Sequence, residues 1–101
     1  MQIYTIEEIK RKLTPIFQEN GVIKAILFGS YAKGEASEDS DIDIVAHVDD
    51  DMDILDFAEI SGFVEEALNK NIDFLYGGDT FSEDMVLEIE NAGVVIFEKA
   101  R

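Results

Sequence analysis

The feature that most constrains this chain is an apolar run, Ile23 to Phe28, that halts at Gly29-Ser30 and is followed by Asp41-Ile42-Asp43-Ile44. A short apolar run closed by turn residues reads as a buried strand. The second segment reads as a strand that begins at Asp41. Side chains alternate along a strand, so Asp41 and Asp43 share a face about 6.6–7 Å apart along the backbone. Ile42, Ile44 and Ala46 are left to pack on the opposite side. Two carboxylates ~5 Å apart repel by about 3 kcal/mol at an effective dielectric of ~20. A hard cation removes that repulsion, and Mg²⁺ takes oxygen ligands of this kind.

The Gly-Ser turn supplies the complementary half of a site. Gly29 reaches backbone angles closed to other residues and lets a ligand approach the main chain. With Ser30 opening a short helix, free N–H groups and the positive dipole end face any phosphate placed there. The Ser30 hydroxyl adds one more donor. Taken singly, each half has an ordinary explanation: a strand-to-helix turn, or a solvent-facing Asp pair. Asp is disfavoured in strands without compensation, however, and a phosphate cradle beside paired carboxylates equips a site to move a phosphoryl group.

The ordered set Phe28-Gly29-Ser30-Tyr31-Ala32-Lys33-Gly34, then Ser40-Asp41-Ile42-Asp43-Ile44, has ten residues between Ser30 and Asp41. It resembles the signature of the polymerase-beta-like nucleotidyltransferase superfamily, and in its small size it is similar to the minimal nucleotidyltransferase (MNT) branch. The likeness covers nearly the whole chain, because Ile72-Asp73-Phe74-Leu75 stands where that family carries its third carboxylate. The resemblance implies an α/β (α+β) fold, a small mixed sheet with helices packed on it and catalytic carboxylates at neighbouring strand ends. It implies that Asp41, Asp43 and Asp73 hold two Mg²⁺ ions and that Asp73 helps take the proton of an acceptor hydroxyl. Gly29 and Ser30 would bind the β- and γ-phosphates of ATP, with pyrophosphate leaving. Lys33 stands where the family more often has Arg, keeping the charge but losing the bidentate fork. The MNT branch resembles antitoxins that pair with HEPN-type ribonuclease toxins and adenylylate a tyrosine on them, which implies a hetero-oligomer and a protein acceptor.

Composition bounds these expectations. The 101 residues fit one domain, 1–101, and nearly half of them are apolar. No run approaches the ~20 apolar residues needed to span a bilayer. Met1-Gln2-Ile3-Tyr4 lacks the layout of a signal peptide, and a cytoplasmic location is expected. Without cysteine there is no disulfide, no thiolate metal site and no cysteine nucleophile. The net charge of −15 argues against direct binding of nucleic acid, which needs Lys and Arg to neutralise phosphates. An acidic surface suits solubility, or capture of a basic protein partner.

Along the chain, Thr5-Ile6-Glu7-Glu8 reads as a capping box, and Ile6, Ile9, Leu13, Ile16 and Phe17 recur at helical spacing. Pro15 predicts a kink or a restart, and Asn20-Gly21 a stop. Lys10, Arg11 and Lys12 read as a solvated face. A second helix is predicted from Ile54 to about Lys70 on Phe57, Ala58, Ser61, Val64 and Leu68, after an acidic run, Asp49 to Asp53, that contains one capping Asp. Ile72 to Tyr76 reads as a strand ended by Gly77-Gly78. A helix follows from Thr80-Phe81-Ser82-Glu83 to Gly93, carrying Met85, Val86, Ile89 and Ala92 inward, and then a strand from Val94 to Phe97. Strand order does not follow from spacing. His47 receives no role, and Tyr31 is expected to pack rather than to stack on a base.

Two other functions fit the same residues. One is a non-catalytic acidic module that masks a basic partner; intact Asp41, Asp43 and Asp73 argue for activity instead. The other is nucleotidyl transfer to a small molecule, for which related enzymes generally carry an additional domain.

Overall fold

A computed structural model describes residues 3–100. In chain order the elements are α1 (Ile6–Glu19), β1 (Val22–Phe28), α2 (Gly29–Lys33), β2 (Ile42–Val48), α3 (Ile54–Leu68), β3 (Ile72–Tyr76), α4 (Glu83–Ala92) and β4 (Val94–Glu98). The strands form one mixed sheet in the order β3-β2-β1-β4. β1 runs antiparallel to both β2 and β4, whereas β2 and β3 are parallel and joined through α3. A parallel pair needs a crossover of this length.

α1, α3 and α4 each begin at a polar cap. The Thr5 hydroxyl accepts from the Glu8 N–H at 3.1 Å, and the Glu8 carboxylate accepts from the Thr5 N–H at 2.8 Å. Asp53 caps α3 through the Asp56 N–H, and Ser82 caps α4 through the Met85 N–H. The helix containing Pro15 is not restarted: α1 runs on to Glu19. A proline removes only one helical hydrogen bond, and burial of Ile9, Leu13 and Phe17 holds the turns on either side.

α1 and α3 supply one face of the core. Ile9, Leu13 and Phe17 meet Ile60, Val64 and Leu68 over Ala25, Leu27, Ile42 and Ile44. The inward stripe of α3 therefore includes Ile60, which the sequence reading passed over, while Ala58 is exposed. Tyr4 fastens the entry to α1 by donating its hydroxyl to the Leu68 carbonyl at 2.6 Å. On α4, Met85, Ile89 and Ala92 are half-buried and Val86 is exposed. That helix packs against α2 and β1. Among the described residues no helix is long and apolar enough to cross a membrane.

Candidate active site

Strand register assembles the site. Asp43 is the second residue of β2 and lies opposite Asp73, the second residue of β3, in the parallel pair. Neighbouring strands are about 4.8 Å apart, so two same-face carboxyls at one register are close neighbours. On its other side Asp43 pairs with Phe28, the last residue of β1. The next residue, Gly29, therefore turns the chain directly beside the Asp43 carboxylate.

Gly29 meets two demands there. Its φ is +74°, in the left-handed region, and a Cβ would overlap the Asp43 carboxylate. A larger residue would be strained and would also push into the acid. α2 then begins with Phe28 at its N-cap and no side chain capping it, so its first-turn amides are available to an external acceptor. Ser30 is half-buried on that first turn, and Gly34 closes the helix at φ 74°.

Electrostatics mark Asp43 as the centre. Its carboxyl is pushed from the usual 3.8 up to about 7. Burial is the largest cause, followed by the hydrogen bond with Asp73, the Asp73 charge, then the charges of Asp41 and Glu88. Asp41 lies one residue before β2 and is exposed. Its contribution to Asp43 comes from beside the pair rather than from within it. Asp73 is exposed on its edge strand.

Lys33 is taken up differently from the sequence expectation. Its Nζ stands 2.8 Å from Glu88 Oε1, and that hydrogen bond and charge raise the lysine pKa. Glu88 belongs to α4 and was not a candidate from sequence, since a single acid on an amphipathic helix carries no local signal. It enters because α4 packs on α2. Tyr31 is buried, as packing predicted, with its hydroxyl unpartnered and Lys70 5.9 Å above its ring. His47 is exposed. A cleft of about 550 Å³ opens beside Asp41, bounded by Ser40, Lys70 and Asn71.

The donor set suits a hard divalent cation. Asp43 and Asp73 share a hydrogen bond against their mutual repulsion, a state that a cation relieves by replacing the proton. Among the described residues no group of three or more His, Cys, Asp or Glu encloses a metal position. Mg²⁺ is usually held by one or two carboxylates and completed by substrate phosphates and water. The Asp43–Asp73 pair beside an uncapped turn matches that arrangement.

A family described as polymerase beta, nucleotidyltransferase matches residues 11–101. A Methanocaldococcus jannaschii protein provisionally named a protein adenylyltransferase is 44% identical over 70 residues, covering 69% of this chain and 75% of the relative. Protein adenylyltransferase MntA of Thermococcus cleftensis is 35% identical over 79 residues, covering 74% of this chain and 80% of that one. Among solved structures, a toxin–antitoxin with AMP-PNP superposes with a TM-score of 0.74 at 23% identity, covering 89% of this chain and 73% of that chain. An MNT antitoxin solved in complex with the tri-AMPylated HEPN toxin of Shewanella oneidensis superposes at 0.68 with 20% identity, covering 94% of this chain and 74% of that chain. At these identities the superpositions show the fold. The chain belongs to the polymerase beta nucleotidyltransferase family.

Proposed function

We propose that this protein transfers AMP from ATP to a hydroxyl of a protein partner, a tyrosine of a HEPN-type toxin, and thereby acts as an antitoxin. The observation that carries the reading is the Asp43–Asp73 pair at one register beside the Gly29 turn. The protein adenylyltransferase relatives support AMP as the transferred group and protein as the acceptor. The solved neighbours, described with AMP-PNP and with an AMPylated HEPN toxin, support the same nucleotide and partner.

In the reaction the acceptor oxygen attacks the α-phosphorus, the bond to the bridging oxygen of pyrophosphate breaks, and the hydroxyl proton leaves. Asp73, exposed beside Asp43, accepts that proton. The α2 amides and the Ser30 hydroxyl orient the β- and γ-phosphates. Asp43 and Asp73 are the residues that would hold magnesium, with Asp41, outside the strand ladder, adding its charge beside them. When bound, it neutralises phosphate charge and steadies attacking and leaving oxygens.

Incubation with Mg²⁺, ATP labelled at the α-phosphate and a HEPN-type toxin of the same organism tests the proposal. Label on the partner, lost with Asp43→Asn, is expected. A partner that stays unlabelled at saturation overturns it. The Lys33–Glu88 ion pair favours one alternative, a binder that masks the partner without chemistry, since it occupies the cation nearest the phosphate turn. Neutralisation that survives Asp41→Asn with Asp43→Asn selects that alternative.

A further inference from the structure

At the far end of the same edge strand, three residues and so about 10 Å beyond Asp73, an apolar groove of about 510 Å³ lies between β3 and the start of α3. Its floor is aromatic. Phe57 packs 4.9 Å from Phe74 and meets Tyr76 edge-on at 5.7 Å between ring centroids. Its lip is Ile54, 81% exposed, with Leu55 beside it at 76%. These are the first two residues of α3, directly after the capping Asp53. An amphipathic helix does not need two large apolar residues on its open first turn for its own fold. Contiguous exposed apolar surface with a polar rim marks interaction sites.

The charge around the groove selects its occupant. Asp53 and Asp79 line it, and Asp50, Asp51 and Asp56 stand within two residues along the chain of its lining residues Met52 and Ile54, all five exposed. Between Lys33 and Lys70, and again between Lys70 and Lys99, the chain has no Lys or Arg. Nothing on α3, β3 or the loops at their ends past Lys70 offsets that field. A second copy would bring a net charge of −15 against −15 and is repelled. An anionic membrane surface and a nucleic acid are repelled for the same reason. A segment that offers apolar side chains to the aromatic floor and Lys or Arg to the rim is complementary in both respects.

We infer that this groove, on the sheet face that α3 covers and opposite the face of the Asp43 and Asp73 side chains, docks a cationic amphipathic segment of the partner protein and so tethers the partner at the edge strand that carries Asp73. The inference rests on the proposed function only for the identity of that partner as the AMP acceptor. A partner held there reaches round the β3 edge to bring a hydroxyl to Asp43 and Asp73, so the groove contributes to affinity for the acceptor and not to the chemical step.

The test uses a HEPN-type toxin of the same organism, titrated against the wild type, Ile54→Asp with Leu55→Asp, and Asp50→Lys with Asp51→Lys. All four sites are exposed, and circular dichroism verifies that both variants are folded. Each is expected to weaken binding by at least about tenfold. Raised salt should weaken the wild type more than the Lys variant. KM for the partner in AMP transfer should rise while kcat stays unchanged. Equal binding by all three proteins overturns the groove and leaves the AMP-transfer reading standing. Weakened binding by both variants, with no label transfer even by the wild type, upholds the groove and overturns the transfer. A wild type that does not bind overturns both. Sedimentation showing a wild-type dimer lost in Ile54→Asp gives the groove to a second copy and overturns the inference, as does wild-type binding to phosphatidylglycerol vesicles.

Discussion

Asp43 carries an internal conflict between stability and function. In the folded chain its carboxyl holds a proton up to about pH 7, against an ordinary 3.8. The folded state thus binds that proton more tightly than the unfolded one. The associated stability is fully present below the unfolded value and is lost as pH rises through about 7. In EDTA, Asp43→Asn should melt above the wild type, with a gap that widens from about pH 4 and levels off above about pH 7. A gap of a few degrees is expected, because the group is half-exposed and solvent screens the repulsion. Calorimetry of both proteins across pH measures it; a gap that shrinks with rising pH contradicts the assignment. The same substitution should lower AMP transfer by at least about a hundredfold, as expected for loss of a group acting on developing charge. Gly29→Ala should differ in stability, losing it along with activity. The positive φ alone is worth about 1–3 kcal/mol, and the added methyl meets the Asp43 carboxylate. Chemical denaturation and the labelling assay read the two losses. The Asp-x-Asp spacing and the Gly-Ser turn were legible from residue identities. The place of Asp41 was legible only in part, because a strand boundary shifted by one residue, Asp41 to Ile42, takes that side chain out of the ladder.

Elements bring to the site what single residues do not announce. α4 lies on α2 and carries Glu88 to Lys33. The ion pair holds the lysine along the helix and adds negative charge beside Asp43. Glu88→Gln releases Lys33 and lightens that charge, so KM for ATP is expected to fall severalfold. The melting temperature should change little, since exposed pairs of this kind contribute weakly. Lys33→Ala should raise KM. Steady-state kinetics on both variants decides the matter: a KM unchanged in each places the pair outside nucleotide binding. The helices themselves were readable from their caps, Thr5, Asp53 and Ser82, because an N-cap is a contact within one turn. The inward stripe of α3 was misread at Ala58 and Ile60, since several apolar residues on its first turns permit more than one face and the sheet selects one of them.

Across the molecule, Phe17 joins the layers. It is fully buried, stacked 6.2 Å from Phe74 of β3 and tilted by 56° against Phe97 of β4 at 5.6 Å, the two edges of the sheet. Phe17→Ala should cost about 3–5 kcal/mol, about 15 °C or more for a domain of this size. Thermal unfolding measures this, and a loss below about 1 kcal/mol would show the ring to be peripheral. By itself the sequence determined the strands, helices and turns and the pairing of carboxylates with a glycine-serine bend. Each of those depends on contacts between near neighbours or on backbone periodicity. The β3-β2-β1-β4 order, the meeting of Asp43 with Asp73, the approach of Glu88 to Lys33 and the groove at the end of β3 were decided by the tertiary structure alone. They depend on which strands pair and in what register, and that choice is made by the burial of side chains distant in the chain, which no local spacing records.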